Sequence, residues 1–384
     1  MDFDFGQQAA ELRSRLRNLI AEEIPEGYLG AFTDDPADLE IAQRFCRRLA
    51  EEGLLTWAWP KEYGGQGGSV WEQTVVREEM WAHHEPRGAQ YMGLNWVGPA
   101  IMAFGTDEQK ATFLPPIAAG QVIWCQGFSE PGAGSDLASL ATRAEPDADG
   151  GYRISGQKIW TSYAQMAQWC VLAARVGPPG AKKHEGITIF LVPMDRAGIT
   201  VRPIKSMLGP HHLNEVFLDQ VPATDADVLG GVGQGWNVIR RALAHERVGI
   251  ARYARCDRLM SRWAGDPDRL TDLPGALHQQ WVRALVATRV SRLLAYKAVA
   301  DQEADRPAEV SASAARLAVT QCDQLVGELL FQAVEHRSLE AKTGAPLDGA
   351  IEDHWRYAQA ATVASGTIEI QRMIVSRALL GAAR

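Results

Sequence analysis

Hydrophobic residues recur at helical spacing along the first part of the chain. Leu12, Leu16 and Leu19, for example, fall on one face of a helix, with polar residues between them. Ser69 and Thr106 stand where side-chain caps would begin two later helices. The predicted helices cover residues 7–24, 36–53, 70–82, 97–104 and 107–119. We therefore expect residues 1–120 to form an all-α domain.

The spacing of hydrophobic residues changes after position 121. Short β-rich runs, such as residues 169–174 and 187–192, are separated there by clusters of glycine and proline. The segment between these two runs, residues 176–186, is predicted to be an exposed hairpin loop. The pattern predicts a compact β domain over residues 121–228.

Long helical patterns return in the last part of the chain. The glycine-rich stretch 230–235 is interpreted as a linker and helix start, because no strand–helix–strand unit surrounds it to make a dinucleotide site. Several long antiparallel helices favour a helical bundle over residues 229–384. The helices predicted there cover residues 236–263, 274–303, 309–342, 350–364 and 367–380. The expected fold class is α+β.

Composition and charge exclude several classes of protein. Hydrophobic residues make up 46% and charged residues 22% of the 384 residues, which is ordinary for a folded globular chain. A net charge of −8 leaves no basic field for nucleic acid. The chain shows no signal-like start and no apolar run near the ~20 residues of a membrane span. We expect a cytoplasmic protein that binds neither membrane nor nucleic acid.

The five cysteines are widely scattered and show no C-x-x-C spacing. This pattern favours free thiols over a disulfide framework or a zinc site. Free thiols suit a reducing cytoplasm, and no metal is expected.

Two polar stretches carry the candidate chemistry. Residues 124–136 read W-C-Q-G-F-S-E-P-G-A-G-S-D, and their glycines, proline and hydroxyls predict a tight loop with exposed backbone N–H groups. Residues 152–162 read Y-R-I-S-G-Q-K-I-W-T-S and predict a strand pair around a glycine turn that presents Trp160 beside two hydroxyls. A simple surface turn is the alternative for the first stretch alone. Together the two stretches suit a polar ligand and a flat heterocycle.

These stretches resemble motifs of the acyl-CoA dehydrogenase family of flavoproteins. S-E-P-G-A-G-S-D (129–136), G-Q-K-I-W-T-S (156–162) and G-T-I-E-I-Q-R (366–372) stand in the order found in that family. The W-P-K-E-Y-G-G-Q-G loop (59–67) is also characteristic of it. The resemblance covers almost the whole chain. It implies an N-terminal helical domain, a middle β-barrel domain and a C-terminal four-helix bundle, with FAD as the cofactor.

The resemblance also implies roles for individual residues. Phe128, Ser129 and Ser162 would bond the flavin ring, and Trp160 would lie against it. The thioester oxygen would meet the backbone N–H of Ser365. The other implied positions are Gly134 and Thr161 for the cofactor, Ser135 for the pantetheine or the flavin phosphate region, Gly366 for the substrate, and Thr367 and Glu369 for the adenosine half of FAD.

The base that removes the α-proton of the thioester is expected at Glu246. Many family members carry this Glu directly before G-T in the C-terminal motif, where this chain has Ser365. Other members carry it on the first C-terminal helix, where this chain reads H-E-R (245–247), so that Arg247 would orient it. Glu246 also falls within an apolar helical stripe, where burial would raise its pKa into the range of a general base. The alternative is a tertiary salt bridge of Glu246 with Arg247, Arg356 or Arg372.

Two cofactor-contacting segments of homomeric family members are not matched. R-x-x-F-G-K is replaced by residues 263–272, and Q-x-x-G-G-x-G by residues 338–344. This pattern resembles the subunit carrying the catalytic Glu in the α2β2 dehydrogenases that oxidise steroid side-chain CoA thioesters in actinobacteria. It implies a second homologous subunit and an electron-transfer flavoprotein as acceptor. The alternatives are a homotetrameric short- or branched-chain dehydrogenase and a catalytically silent subunit that only scaffolds FAD.

Overall fold

Two compact units make up the chain. The computed structural model describes residues 5–30, 35–148, 150–178, 182–208, 212–240, 251–341 and 344–381. The helical unit contains residues 1–31, 67–86 and 246–384, and the sheet unit contains residues 32–66 and 87–245. The predicted domain boundaries, after residues 120 and 228, stay a prediction.

Helices account for most of the described structure. The α-helices are α1 (Gln7–Glu23), α2 (Pro36–Glu51), α3 (Val70–Ala82), α4 (Gln90–Met92), α5 (Gly98–Phe104), α6 (Asp107–Ala118), α7 (Tyr253–Ala264), α8 (Pro267–Thr271), α9 (Gly275–Glu303), α10 (Glu309–Ala333), α11 (Ala350–Ala360) and α12 (Ile368–Leu380). Ser69 and Thr106 cap α3 and α6, and each takes part in a reciprocal capping box. Both predicted caps are confirmed.

An eight-stranded sheet lies in the sheet unit. Its strands are β1 (Trp124–Gly127), β2 (Arg143–Pro146), β3 (Tyr152–Lys158), β4 (Trp169–Val176), β5 (Ile187–Pro193), β6 (Ile199–Pro203), β7 (Asn214–Ala223) and β8 (Val228–Leu229). The strand order is β6-β7-β3-β2-β4-β5-β8, and β1 runs parallel to β4. A helical chain with a central sheet confirms the α+β fold class predicted from the sequence.

The W-P-K-E-Y-G-G-Q-G loop places Trp59 against an irregular helical turn. Residues Gly93–Val97 form a π-helical turn between α4 and α5. The indole N–H of Trp59 donates to the carbonyl oxygen of Leu94 at 3.3 Å. A Cβ on Gly98 would stand 2.2 Å from the indole ring. Glycine at position 98 is therefore required by the close approach of Trp59.

A buried carboxylate joins four helices of the helical unit. Glu78 of α3 accepts hydrogen bonds from the hydroxyls of Tyr253 on α7, at 2.8 Å, and Tyr296 on α9, at 2.7 Å. Its other oxygen pairs with the Arg13 guanidinium of α1 at 2.6 Å. Because every oxygen of this buried group has a partner, its burial is compensated and the four helices share one polar contact.

The strand pair predicted over residues 152–162 is wrong. β3 passes through Gly156 without reversing, with a shift of register against β7 between Ile154 and Gly156. A Cβ on Gly156 would lie 2.4 Å from the hydroxyl oxygen of Thr142. The glycine thus permits the close approach of a neighbouring chain segment, which a single sequence does not distinguish from a turn.

Two predicted helices end earlier in the structure, and part of a third predicted helix lies outside the described residues. α10 ends at Ala333 and not at residue 342, because Glu335 adopts a left-handed φ of 51° that cannot continue a right-handed helix. α11 ends at Ala360 and not at residue 364, ahead of a turn. The helix predicted over 236–263 is described in two parts, residues 235–240 and α7, and residues 241–250 lie outside the described residues.

Candidate cofactor and active site

The two polar stretches meet where β1 and β3 end. The backbone N–H of Ile159 donates to the carbonyl oxygen of Ser129 at 2.9 Å. This bond places Trp160, Thr161 and Ser162 beside the loop that begins at Phe128. Five residues expected to bind the cofactor therefore lie in one small region of the sheet unit.

A buried ion pair lies beneath this meeting point. The Lys158 ammonium is fully buried and lies 2.7 Å from the carboxylate of Glu130 and 3.2 Å from the carbonyl oxygen of Phe128. Glu130 also accepts hydrogen bonds from the backbone N–H groups of Ala141, at 2.6 Å, and Thr142, at 2.9 Å. Neither charged residue has a role predicted from the sequence, although both stand inside the quoted motifs.

The surroundings of Glu130 favour its ionised carboxylate over the protonated form. Burial by itself opposes its ionisation, but the Lys158 ammonium and the hydrogen bonds to the carboxylate outweigh burial and hold the pKa of Glu130 below its ordinary value. Burial lowers the pKa of Lys158, although Glu130 beside it favours the charged form. Opposite charges at 2.7 Å inside the protein fix the glycine-rich loop to the end of β3.

Asn214, at the start of β7, anchors the segment after β3. Its carbonyl oxygen accepts the backbone N–H of Thr161 at 2.9 Å, and its side-chain amide donates to the Thr161 carbonyl oxygen at 3.1 Å and to the Gln165 side chain at 2.5 Å. Trp160 has a left-handed φ of 59° and is 55% exposed. A bulky residue held in this conformation, with its ring in solvent, is typical of a functional site. Asn214 carries no motif signal, so sequence reasoning missed it.

The residues at this meeting point fit a flavin ring. Trp160 presents an exposed, flat aromatic ring on which a planar ligand can stack. Among the described residues, the buried hydroxyl of Thr161 has no hydrogen-bond partner. Buried hydroxyls are nearly always bonded, so a polar group of a bound ligand is the expected partner. A planar heterocycle with polar edges satisfies both features.

The glycine-rich loop continues to an exposed tip that carries Gly134 and Ser135. Beyond it, Asp136 pairs with Lys183 of the β4–β5 hairpin loop at 2.9 Å. The Arg175 guanidinium donates to the carbonyl oxygens of Ala138 and Lys183, at 2.9 Å each. The hairpin predicted from the sequence is confirmed, and it braces the far side of the glycine-rich loop.

The C-terminal motif forms a tight turn in the helical unit. Ser365 and Gly366 have left-handed φ values of 57° and 89°, and the Thr367 hydroxyl caps α12 by accepting the N–H of Ile370 at 3.3 Å. No described residue accepts a hydrogen bond from the backbone N–H of Ser365, Gly366 or Thr367. Successive free N–H groups at a helix start suit an anionic oxygen. Glu369 is exposed on the first turn of α12.

The two residues expected to act on the α-proton, Glu246 and Arg247, lie outside the described residues. Arg356 and Arg372 were alternative partners for Glu246. Arg356 pairs with Glu352, and Arg372 is exposed on α12. The roles of Glu246 and Arg247 stay predictions.

The helical unit also holds a buried polar cluster that the sequence did not indicate. One ligand atom from each of Cys256, Asp323 and His354 lies within 4.8 Å of the other two. Asp323 already pairs with Arg252 at 3.0 Å, and Arg255 lies 3.9 Å from it. Burial, reinforced by the nearby arginines, lowers the pKa of His354 well below its ordinary value. The positive charges of Arg252 and Arg255, so close to Asp323, oppose the binding of a cation. The cluster is therefore best explained as core packing.

None of the described helices combines the length and the hydropathy that crossing a bilayer requires.

Comparison with family models gives three consecutive matches. The model of the acyl-CoA dehydrogenase N-terminal domain matches residues 7–121, that of the middle domain residues 125–221, and that of the C-terminal domain residues 233–380.

Individual relatives match over the whole chain. Acyl-CoA dehydrogenase IpdE1 from Mycobacterium tuberculosis is 34% identical, with 98% of this chain and 99% of the relative covered. The solved structure of the Tcur3481-Tcur3483 steroid ACAD has a TM-score of 0.90 at 32% identity, and the match covers 100% of both chains. The ChsE4-ChsE5 complex from Mycobacterium tuberculosis has a TM-score of 0.85 at 32% identity, again covering 100% of both chains.

Proposed function

The chain belongs to the acyl-CoA dehydrogenase family, and on that premise we propose that it introduces a double bond between the α and β carbons of an acyl-CoA thioester. Members of this family are FAD-dependent oxidoreductases that act on CH–CH bonds. The observation that carries the proposal is the bond between Ile159 and Ser129, which sets exposed Trp160 and the unpartnered Thr161 hydroxyl beside the glycine-rich loop. The product is an α,β-enoyl-CoA.

Residues of the sheet unit would hold the cofactor ring. The Phe128–Ser129 backbone and the Ser162 hydroxyl would bond its polar edge, the Thr161 hydroxyl would add a hydrogen bond, and the Trp160 ring would lie against it. Gly134 and Ser135 would serve the phosphate or pantetheine region. When bound, FAD supplies the hydride acceptor for the hydrogen on the β carbon.

Residues of the helical unit would act on the thioester. The Glu246 carboxylate takes the α-proton, and Arg247 orients that carboxylate. The free N–H of Ser365 would bond the thioester oxygen, on which negative charge grows as the α-proton leaves. Ser365 itself cannot be the base, because a serine hydroxyl is too weak a base without a partner to activate it. Gly366 lets the turn adopt its left-handed conformation, and Thr367 and Glu369 would contact the adenosine half of FAD.

A bulky substrate, of the steroid side-chain class, is the finer proposal. Its support is the similarity to a protein described as a steroid ACAD and to the ChsE4-ChsE5 complex. The unmatched cofactor-contacting segments 263–272 and 338–344 add the expectation of a second homologous subunit, in an α2β2 assembly. Reduced flavin would pass its electrons to an electron-transfer flavoprotein in the cytoplasm.

The test of the assembly is the flavin content and mass of the chain purified alone and after co-expression with its neighbouring dehydrogenase gene. Flavin-poor protein alone, and a yellow tetramer with half as many flavins as chains on co-expression, supports α2β2. A homotetramer with one tightly held FAD per chain contradicts it and returns the search to short- or branched-chain substrates.

The test of the activity is oxidation of butanoyl-, 2-methylpropanoyl-, 3-phenylpropanoyl- and cholanoyl-CoA with an artificial electron acceptor. Preference for cholanoyl-CoA supports the steroid class. Oxidation of the small thioesters alone would contradict that class but retain the dehydrogenase. If none is oxidised while the partner chain alone shows turnover, this chain is a scaffold for the FAD of its partner.

A further inference from the structure

A buried arginine braces the turn that presents the free N–H groups. Arg316 lies on α10 and is 2% exposed. Its Nη2 atom donates to the carbonyl oxygen of Ala361 at 2.9 Å and to that of Ala364 at 2.6 Å. Both carbonyls follow the end of α11, where helix carbonyls lack intrahelical partners. The guanidinium thus satisfies two acceptors that have no other partner among the described residues, next to the negative end of a helix dipole.

The turn held by Arg316 is strained at Ser365, the residue whose backbone N–H would bond the thioester oxygen. Ser365 directly follows Ala364 and adopts a left-handed φ of 57°, a conformation that strains the backbone of a non-glycine residue. Such a conformation persists only when surrounding contacts over-determine it. Among the described residues, the other hydrogen bonds of the turn run back to α11, within the segment or forward to α12. The N–H groups of Val363 and Ala364 donate to the Ala360 carbonyl at 3.1 Å each. The Ile368 N–H donates to the Thr362 carbonyl at 3.0 Å, and the Gln371 side chain donates to the Gly366 carbonyl at 3.4 Å.

We infer that Arg316 is a positioning residue, which fixes the backbone N–H of Ser365 for the thioester oxygen from a helix that itself supplies no atom to the reaction. The inference rests on the proposed function. It explains why the turn keeps its geometry although Ser365 stands in the place of a catalytic Glu: the turn contributes backbone and not a side chain. The guanidinium bonds the carbonyl of Ala364, the residue before Ser365. Loss of this hydrogen bond therefore moves the backbone N–H of Ser365 directly.

The activity test compares Arg316→Met with Arg316→Lys in the holoenzyme, with the partner chain if that is required. The probe is whichever of butanoyl-, 3-phenylpropanoyl- and cholanoyl-CoA the wild type oxidises fastest. In Arg316→Met we expect kcat and the rate of α-proton exchange with D2O to fall about ten- to hundredfold, with KM and FAD content nearly unchanged, because misplacing an oxyanion donor costs less than removing one. Arg316→Lys should recover part of kcat, since an ammonium can reach at least one carbonyl.

A purely structural role predicts another result. In that case FAD content and thermal stability fall together with kcat, α-proton exchange per bound flavin stays at the wild-type level, and lysine gives no rescue. That outcome overturns the inference.

A second measurement is independent of activity. Hydrogen–deuterium exchange at the hydrogen-bonded amides of residues 362–364 and 368 should become at least tenfold faster in Arg316→Met. The matched control is Arg175→Met, which removes another buried arginine that donates to backbone carbonyls, in the sheet unit, and should leave exchange at 362–368 unchanged. If the wild type oxidises no thioester, the proposed function fails while the exchange comparison still decides on the brace. Unchanged exchange in Arg316→Met refutes the brace even if the enzyme is active.

Discussion

The Glu130 carboxylate and the Lys158 ammonium lie 2.7 Å apart in the interior of the sheet unit and join the two motifs on which the proposed cofactor site depends. Without Lys158, Glu130 keeps two backbone N–H donors, whereas Lys158 without Glu130 keeps, within the part of the chain that the structure describes, only the Phe128 carbonyl. The pair is therefore asymmetric, and the cost of breaking it depends on which partner is removed.

Glu130→Gln should destabilise the protein more than Lys158→Met does. The first change leaves a buried ammonium without a counter-charge, at a cost of about 3–5 kcal/mol, and the second leaves a carboxylate that is still bonded twice. Urea unfolding at neutral pH, followed by tryptophan fluorescence, measures both. Equal losses, or a larger loss for Lys158→Met, would show that the ammonium is not the group in need of compensation.

The stability difference between wild type and Glu130→Gln should depend on pH. The folded-state pKa of Glu130 lies below its ordinary value of 4.5. The ionised carboxylate therefore stabilises the fold fully above pH 4.5, and this contribution is lost as pH falls through the folded pKa. Unfolding titrations from neutral pH down to about pH 3 should show the difference narrowing below pH 4.5. A difference that stays constant over this range contradicts the ion pair as its source.

Replacing Trp160 should separate stability from cofactor binding. Trp160→Gly removes the strained φ of 59° and an exposed ring, so the apoprotein should be as stable as the wild type or more stable. Loss of the stacking plate, worth about 1–3 kcal/mol by analogy with base–aromatic stacking, should weaken FAD binding about five- to hundredfold. Thermal melts of the apoprotein and fluorescence titration with FAD give the two values. Unaltered FAD affinity would place the flavin elsewhere.

Glu246→Gln should abolish turnover and leave the flavin in place. Removing the base lowers kcat by about 10²–10⁴-fold, because no other side chain is expected at the α-proton. Flavin absorbance of the purified variant reports cofactor retention, and α-proton exchange in D2O reports the lost step. Arg247→Lys is the companion variant, expected to lower kcat less because a cation remains. Full turnover in Glu246→Gln would favour a structural salt bridge.

Two glycines of one helical segment offer a matched pair. Gly98→Ala would drive a Cβ to 2.2 Å from the Trp59 ring, whereas Gly93→Ala would meet its nearest atom at 3.5 Å. We expect Gly98→Ala to lose about 1–3 kcal/mol of stability through overpacking and Gly93→Ala to be neutral or slightly stabilising. Thermal unfolding of the two variants, compared with the wild type, measures both changes in stability. A neutral Gly98→Ala would mean that Trp59 moves freely in its pocket.

The α+β class, most helices with the caps of α3 and α6, and the stretches proposed to hold the cofactor could all be predicted from the sequence. Those features depend on spacing within a few residues, such as Leu12, Leu16 and Leu19, or on residue types that a local backbone demands. Two predictions from local spacing were wrong. The glycine at position 156 accommodates Thr142 of a neighbouring segment and does not form a turn, and α10 ends early because Glu335 adopts a left-handed φ.

The polar residues that support the proposed site could not be predicted, because their contacts join segments that are distant in the sequence. Lys158 meets Glu130 across 28 positions of sequence, Asn214 meets Thr161 across 53, and Arg316 meets Ala361 across 45. Each is one charged or amide side chain among many, and no spacing rule links it to its partner. Their roles follow from burial: inside the protein each must find a compensating partner, and the fold chooses that partner by bringing distant segments together.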